Sequence, residues 1–219
     1  MIRLYHCIDA RSFRPLWALE EVGVPYELHL LPFPPRVLSR TYLEINPLGT
    51  IPAFFDGETH MTESSAIVEY LAVRYGADHL AVAADHPAFG RYLNYLHFGE
   101  ATLTFPQTLV LRYSRLEPQE RRQPQVAEDY RKWFLARLRG LEQALDERDW
   151  LCADRFTGAD ISVGYALLLA QSLGISEAFT PRLAAYWDRL QARDGFQRAK
   201  AAQAKAADDG GIGPTFRAS

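Results

Sequence analysis

Hydrophobic and polar positions follow two different spacings in the first third of the chain. The run IRLYHCI is rich in β-branched and aromatic residues, which predicts a short buried strand. In FRPLWALEEVG the apolar residues recur three to four positions apart, which predicts a helix that ends at Gly23. YELHLL then has the composition of a second strand. Because strands joined through a helix run parallel with a right-handed crossover, these segments predict a βαβ unit.

A hairpin and a further helix complete this region. IPAFFDGETHMT contains two extended runs around Asp56-Gly57, a pair typical of a type I′ turn. Glu63 and Ser64 precede SAIVEYLAVRYG, whose apolar residues share one helical face. The predicted order, βαβ followed by ββα, is the thioredoxin-like arrangement.

Beyond Gly76 the pattern becomes helical. ADHLAVAADHP has the small-residue texture of a linker, and the apolar residues after it keep helical spacing. The first long helical segment, AFGRYLNYLHFGEATLTFPQTLVLRY, is expected to bend at Pro106. The fold class is therefore α/β plus all-α, with a thioredoxin-like domain at 1–77, a linker at 78–87 and an all-helical domain at 88–219.

Two further features of the helical part have structural interpretations. Thr157 and Asp160 in FTGADISVGYALLLAQSLG resemble a capping box, which would nucleate a central helix and touch no substrate. The tail DDGGIGPTFRAS is expected to be poorly ordered unless Phe216 docks.

Charge and cysteine content exclude several classes of function. A net charge of −3 argues against a broad nucleic-acid or anionic-membrane surface. The two cysteines, Cys7 and Cys152, are too few for a disulfide framework, and MIRLYHCIDA is too short and polar for a secretory signal. The longest apolar run, YALLLAQSLGI, falls short of the ~20 residues that span a bilayer. These observations predict a soluble, cytoplasmic protein that binds neither nucleic acid nor membrane.

Four motifs in a fixed order carry a family resemblance. SFRPLWALEEVGVPYE, NPLGTIPAFFDG, TESSAIVEYLAVRYG and FTGADISVGYALL resemble the cytosolic glutathione S-transferases, and their bacterial branch in particular. The resemblance extends from the first strand to about residue 205. It implies a homodimer that uses glutathione as co-substrate, without a metal, to detoxify small molecules.

The resemblance also assigns the ends of glutathione to particular residues. It implies a cis peptide bond before Pro52, which lets Ile51 offer its N–H and C=O to the cysteinyl part of the peptide like an added strand. It further implies that Ser64 and the helix amides hold the γ-glutamyl carboxylate, while Glu63 faces the α-amino group. A plain surface turn and a simple helix cap are the structural alternatives for these two motifs.

The glycine end of glutathione is less clearly assigned. Some classes of the family use a histidine before the Thr-Ile-Pro sequence, and this chain has Gly49 at that position. Arg36 or Arg40 are the candidates to replace it, and either is equally compatible with a solvated surface charge.

Three residues are candidates for activating the thiol. A thiol with a pKa near 8.5 is mostly protonated at neutral pH, so the site must favour the thiolate. The position of the hydroxyl in the serine-type classes is occupied here by Asp9, which leaves Ser12 as the first candidate, with Tyr5 and Arg11 behind it. Ser12 is equally compatible with a bare helix cap. Tyr5 is compatible with a core aromatic residue.

The co-substrate pocket is expected in the first helices of the second domain. Its predicted lining residues are Tyr95, Phe98, Phe105 and Tyr113. Aromatic residues at helical spacing are also common in cores, so a purely structural role is the alternative.

Three functions fit these observations. The first is a glutathione transferase in which the thiolate attacks an electrophilic, apolar co-substrate, with isomerase, peroxidase and dehalogenase chemistry as variants on the same scaffold. The second is a non-catalytic glutathione- or ligand-binding protein of the same fold, related to stress. The third is a thiol–disulfide reductase that uses Cys7, which would require an exposed cysteine of low pKa.

Overall fold

Two compact units make up the part of the chain that the computed structural model describes, residues 1–76 and 79–213. One contains residues 1–81 together with the described residues from 191 onward, and the other contains residues 82–190. The expected domain boundary at residue 77, the start of the linker at Asp78 and the docking of Phe216 lie outside the described residues.

The first unit contains a four-stranded sheet. Its strands are β1 (Ile2–His6), β2 (Tyr26–Leu30), β3 (Ala53–Asp56) and β4 (Thr59–Met61). They lie in the order β2-β1-β3-β4, with β1 parallel to β2 and with β3 antiparallel to both β1 and β4. The predicted βαβ unit and the predicted hairpin are therefore both confirmed.

Helices of the described residues alternate with shorter irregular turns. In chain order they are α1 (Phe13–Val22), α2 (Pro35–Leu38), α3 (Ser64–Tyr75), α4 (Phe89–Phe98), α5 (Phe105–Leu111), α6 (Pro124–Ala144), α7 (Gly158–Ser172), α8 (Pro181–Gln191) and α9 (Asp194–Gly210). None of them is long and apolar enough to cross a membrane.

Helix α1 lies where the sequence pattern predicts it. Its apolar stripe, Phe13, Leu16, Trp17 and Leu19, is completely buried. The helix ends at Gly23, which adopts a left-handed φ of 71° and donates its N–H to the Leu19 carbonyl. Only the loop from Cys7 to Ser12 separates the start of α1 from the carboxyl end of β1.

The hairpin turn differs from the predicted type. Asp56 pairs with Thr59, so the two loop residues are Gly57 and Glu58. Of these two only Gly57 has a positive φ, 59°. A type I′ turn requires positive φ at both central residues, so the prediction of that turn on Asp56-Gly57 is wrong. The glycine instead occupies the first loop position, where it supplies the positive φ.

Helix α9 packs within the first unit, although it comes last in the chain. Phe196 meets the rings of Phe13 and Trp17 edge-on, with centroid distances of 5.4 and 5.0 Å. Glu21 accepts hydrogen bonds from both Nε and Nη2 of Arg193, each 2.8 Å long, and from Trp17 Nε1 at 2.9 Å. The helical sequence pattern of α9 predicts a place in the all-helical domain at 88–219, whereas its contacts join it to the first unit.

Replacing Gly195 by Ala is expected to weaken the docking of α9. A Cβ atom added at Gly195 would lie 2.5 Å from Cδ of Glu21, whose carboxylate is held by Arg193 and Trp17. Forcing these groups apart should cost about 1–3 kcal/mol of the free energy of unfolding, measured as a lower thermal midpoint. Gly140→Ala in α6 is the control, because nothing lies within 4 Å of its added Cβ. If the thermal midpoint of Gly195→Ala rose as much as that of Gly140→Ala, the predicted clash would be contradicted.

The second unit confirms the helical prediction with two local departures. One π-helical turn, Gly99–Thr104, joins α4 to α5, and a second, Arg112–Leu116, directly follows α5. Pro106 is buried and lies just after the first π-helical turn, within a continuous helical run. The predicted capping box of Thr157 and Asp160 is present at the start of α7, which is almost wholly buried.

Candidate functional site

Three chain segments meet in the first unit around the carboxyl end of β1. Cys7 and Ala10 from the loop after β1 share a buried cluster with Ile51 and Ala53 from the start of β3. Tyr42 completes this cluster from the turn Arg40–Glu44. The start of α3 is connected to α1 by a hydrogen bond between Arg14 and Ser64.

The segment before β3 presents an unpaired piece of backbone. The Ile51–Pro52 peptide bond is cis, as the sequence analysis expected. Tyr5 pairs with Ala53 in the sheet, so Ile51 lies beyond the last paired residue of β1. Within residues 1–76 and 79–213, neither the N–H nor the C=O of Ile51 forms a hydrogen bond. An extended peptide can therefore pair with this residue as an additional short strand.

Two residues that the sequence analysis missed hold this segment in place. The carbonyl of Thr50 accepts hydrogen bonds from the Tyr42 hydroxyl and from Nδ2 of Asn46, each at 2.7 Å. Asn46 Oδ1 in turn accepts from the N–H of Leu48 at 3.1 Å. Burial raises the pKa of Tyr42 to about 12, so its hydroxyl keeps the donated proton at neutral pH. The backbone just before Ile51 is thus fixed by buried side chains.

A buried arginine lies beneath the start of α3. Ser64, the first residue of the helix, is 3% exposed, and its hydroxyl accepts a hydrogen bond from Nη1 of Arg14 at 3.0 Å. Arg14 is completely buried. Glu63 occupies the cap position, is exposed, and its side chain makes no capping hydrogen bond. Because helix N-termini and guanidinium groups both favour negative charge, this helix start is suited to a carboxylate.

Ser12 is enclosed rather than presented to solvent. It is fully buried, its Oγ lies 2.8 Å from Nδ1 of His6, and it accepts a hydrogen bond from the N–H of Cys7 at 3.2 Å. Its side chain does not cap α1. Burial lowers the pKa of His6 to about 4, so its ring is neutral at pH 7. The role of Ser12 in activating a thiol stays a prediction.

Asp9 faces α9 instead of the space above the loop. It adopts a left-handed φ of 52°, and its Oδ1 accepts hydrogen bonds from Lys200 Nζ and Gln203 Nε2, each at 2.7 Å. Asparagine and aspartate tolerate this conformation better than most residues. Arg11, the charged candidate for the thiol, lies partly exposed in the same loop.

Tyr5 lies half-buried on the sheet, where it packs against the cluster that contains Ile51. Its ring stacks on His29, with a centroid distance of 4.7 Å and an angle of 15°. It also approaches Tyr42 at 5.6 Å and Phe55 at 6.1 Å. This is the environment of a sheet-face aromatic residue, and its catalytic role stays a prediction.

Both cysteines are poor nucleophiles in this structure. Cys7 and Cys152 are fully buried. Burial raises the pKa of the Cys7 thiol to about 12 and that of Cys152 to about 11. A thiol–disulfide reductase needs an accessible thiolate, so the geometry disfavours that third function.

The position before Thr50 has no room for a side chain. Gly49 has a φ of 61°, and a Cβ added there would lie 2.7 Å from Cβ of Arg36. A histidine would therefore be strained at this position, and Arg36 occupies the adjacent space. Arg36 and Arg40 are both exposed.

The predicted co-substrate residues are separated within the second unit. The rings of Tyr95 and Phe98 meet edge-on at 5.7 Å. Phe105 is 55% exposed, and Arg112 lies over the Tyr113 ring at 5.5 Å. Of the four, Phe98 alone lines an open groove of about 390 Å³, whose other lining residues are Gly90, Leu93, Asn94, His97, Ala101 and Thr102. The structure thus brings the rings of Tyr95 and Phe98 together, but Tyr95, Phe105 and Tyr113 are not among the residues that line the groove.

Comparison with known proteins leads to the same family as the motifs. Residues 10–74 match the profile of the glutathione S-transferase N-terminal domain, and residues 106–194 match that of the C-terminal domain. Glutathione S-transferase 3 of Schizosaccharomyces pombe is 35% identical over 103 residues, which are 47% of this chain and 43% of that protein. Glutathione S-transferase GstA of Escherichia coli O157:H7 is 30% identical over 214 residues, which are 92% of this chain and 98% of that protein.

A solved structure supports the assignment over nearly the whole chain. The sphingomonad glutathione S-transferase complexed with glutathione superimposes with a TM-score of 0.80 at 25% sequence identity, covering 92% of this chain and 98% of that one. The two family profiles, the full-length bacterial relative and the shared fold agree. The chain therefore belongs to the glutathione S-transferase family of enzymes, with a thioredoxin-like N-terminal domain and a helical C-terminal domain.

Proposed function

We propose that this protein binds glutathione in its first unit and uses the thiolate to attack an electrophilic, apolar co-substrate. The observation that carries the proposal is the unpaired backbone of Ile51 in the same unit as the helix start at Ser64, which Arg14 supports from below. The sphingomonad relative, complexed with glutathione, supports the choice of ligand.

The cysteinyl part of glutathione pairs with Ile51 in this proposal. Its N–H and C=O meet those of Ile51 as in an antiparallel ladder, which fixes the peptide without any side-chain contact. Tyr42 and Asn46 hold the preceding carbonyl, so the edge is already ordered before the ligand binds. Less conformational freedom is then lost on binding.

The γ-glutamyl end lies at the start of α3. Its α-carboxylate accepts hydrogen bonds from the Ser64 hydroxyl and the first amides of the helix, while Glu63 attracts the α-amino group. Arg14 adds positive charge beneath Ser64. The glycine carboxylate is proposed to meet Arg36 or Arg40, which are both exposed, and Arg36 packs beside Gly49.

Stabilisation of the thiolate is assigned to the loop between Cys7 and α1. A drop of one pKa unit in the bound thiol corresponds to about 1.4 kcal/mol of preferential stabilisation of the thiolate. Because Ser12 Oγ is enclosed beside His6, we assign this stabilisation to Arg11 and the N-terminal end of α1, and a supporting role to Ser12. Tyr5 is the third candidate for a direct contact.

The co-substrate and the assembly complete the proposal. Tyr95 and Phe98 offer the aromatic contacts that an apolar co-substrate requires. A cytoplasmic homodimer is the expected assembly, because the family implies it. Light scattering during size-exclusion chromatography tests this part, since a monomer at micromolar concentration would contradict it.

A second function is favoured by one observation. The position of the serine-type hydroxyl holds Asp9, whose carboxylate is engaged by Lys200 and Gln203. A protein that binds glutathione without activating its thiol would show the same arrangement. The second candidate is therefore a non-catalytic, glutathione-binding protein of this fold.

One titration separates the two functions. Calorimetry with glutathione measures binding, and ultraviolet absorbance of the bound thiolate across pH measures the pKa of its thiol. Saturable binding with a thiol pKa below the solution value supports a transferase. Binding with an unshifted thiol supports the non-catalytic protein, and no binding overturns both.

Replacing Ser64 by Ala is expected to weaken glutathione binding by about ten-fold. The change removes one hydrogen bond to a charged group and leaves Nη1 of Arg14 without its partner at the helix start. Calorimetry measures the dissociation constant, and a thermal melt confirms that the variant is folded. Ser172→Ala is the control, because that hydroxyl bonds to the Leu168 carbonyl in α7 of the other unit. Equal affinities of the two variants would contradict the assignment of the γ-glutamyl end.

A further inference from the structure

A buried polar side chain interrupts the apolar face of α9. The other buried residues of this helix are Gly195, Phe196 and Ala199, whereas Gln203 is 3% exposed and carries an amide. The three-to-four spacing of these buried residues continues to position 203, where it predicts an apolar residue. The Gln203 amide instead contacts Asp9 in the loop after β1. This is the loop to which stabilisation of the thiolate is assigned above.

The orientation of the Gln203 amide follows from a backbone donor. The N–H of Asp9 can only donate, and it lies 3.1 Å from Oε1 of Gln203. Nε2 of the same amide donates to Asp9 Oδ1 at 2.7 Å. The amide thus contacts both the backbone and the side chain of Asp9, and Lys200 Nζ contacts the same carboxylate at 2.7 Å.

This orientation determines the tautomer of His6. Nε2 of His6 lies 3.0 Å from Gln203 Oε1, an atom that only accepts, so Nε2 must carry the proton. In the neutral ring Nδ1 is then an acceptor, and the Ser12 hydroxyl, 2.8 Å away, must donate to it. The N–H of Cys7 donates to Ser12 Oγ at 3.2 Å and closes the chain of hydrogen bonds.

We propose that Gln203 is a positioning residue of the thiol site. Its amide fixes the loop from Cys7 to Ser12 at two points, at Asp9 directly and at Ser12 through His6. Arg11 lies between these two points, so its position relative to a bound thiol depends on them. The inference rests on the proposed function, and it extends the thiol site to a helix some 190 residues away in sequence.

Loss of the amide has a defined consequence. In Gln203→Met, Asp9 N–H and His6 Nε2–H lose their acceptor in a buried region, and the loop must shift to find other partners or water. Arg11 and the start of α1 then lie less favourably for the thiolate. The expected result is a rise of about one unit in the pKa of bound glutathione, a ten-fold loss of preference for the thiolate.

The first measurement is the thiol pKa of bound glutathione in wild type, Gln203→Met and the control Gln197→Met. Gln197 lies exposed on the same helix, and its amide bonds to the Gln191 carbonyl. We expect the rise in Gln203→Met alone, measured well below the thermal midpoint of each protein. Equal thiol pKa values in all three proteins would overturn the inference while leaving the proposed function intact. An unshifted thiol in wild type would overturn both.

A rescue experiment separates positioning from simple destabilisation. Gln203→Glu keeps an acceptor for His6 and for the N–H of Asp9, but it places a second carboxylate against Asp9 Oδ1. Because the two carboxylates repel each other, the loop should shift and the thiol pKa of bound glutathione should rise. Adding Asp9→Asn supplies an amide donor to the new carboxylate, which should return the thiol pKa toward the wild-type value. A double variant no better than the single one would count against the proposal. Imidazole nitrogen-15 shifts provide a direct check, because a His6 protonated at Nδ1 rather than Nε2 would overturn the proposed chain of hydrogen bonds.

Discussion

Replacing Asp160 by Ala is expected to lower the free energy of unfolding of the second unit by about 3–5 kcal/mol. The fully buried carboxylate accepts hydrogen bonds from the N–H groups of Leu151 and Thr157, at 3.1 and 2.9 Å. It also accepts from the hydroxyls of Thr157 and Tyr186, at 3.1 and 2.8 Å. Alanine would leave these donors buried without an acceptor and would remove the half of the capping box at the start of α7 that the Asp160 side chain contributes.

Chemical denaturation followed by circular dichroism measures this loss. Asp188→Ala is the matched control, because Asp188 lies exposed on α8 two residues after Tyr186. An exposed substitution of this kind should change the free energy of unfolding by less than about 0.5 kcal/mol. A loss in Asp160→Ala as small as that expected of the control would show that the hydrogen bonds of Asp160 contribute little.

The stabilising effect of His6 is expected to disappear as the pH falls from about 6.5 to 4. Burial lowers the pKa of His6 to about 4, below the usual value of 6.5. Between these values the unfolded chain binds a proton that the folded protein does not, so acid favours unfolding. The difference amounts to about 3 kcal/mol at pH 4. Among its neighbours, Gln203, Asp9 and Ser12 favour the charged ring, and Lys200 opposes it.

Comparison of wild type with His6→Gln isolates this contribution. Burial raises the pKa of Asp160 to about 6, so that carboxyl makes stability fall as the pH rises through about 4 to 6. Its effect is common to both proteins and cancels in their difference. The free energy of unfolding of wild type relative to His6→Gln should therefore fall by about 3 kcal/mol between pH 7 and pH 4. The same experiment on His97→Gln, at an exposed position, is the control, and a His6 difference that is constant with pH would contradict the prediction.

The sequence predicted those parts of the fold that depend on local patterns. Strand composition, helical spacing and the stop at Gly23 are properties of neighbouring residues, and the structure confirms the sheet, α1 and the capping box of α7. The cis bond before Pro52 was expected from the family motif and is present. The hairpin was also predicted, but its turn was misassigned, because Asp-Gly composition does not determine which two residues form the loop.

Several of the missed features depend on contacts between residues that are distant in sequence. The bond between His6 and Gln203 joins positions 197 apart, and that between Arg14 and Ser64 joins positions 50 apart. No local pattern signals such a pair. Two weaker signals were present: a histidine in a strand that was predicted to be buried, and a glutamine on the stripe of Gly195, Phe196 and Ala199. A polar residue on an apolar face often has a buried partner.

The position of α9 within the first unit sets an order of events during synthesis. A ribosome that adds about 5–20 residues per second makes Asp9 about 10–40 seconds before Gln203, its partner 194 positions later. During that interval the sheet can form, but Phe13 and Trp17 lack the ring of Phe196 and the loop at Asp9 lacks its amide partner. The apolar surface of α1 is then open to chaperones. A nascent chain arrested before α9 should therefore be retained by them, even though every strand of its first unit has already been translated.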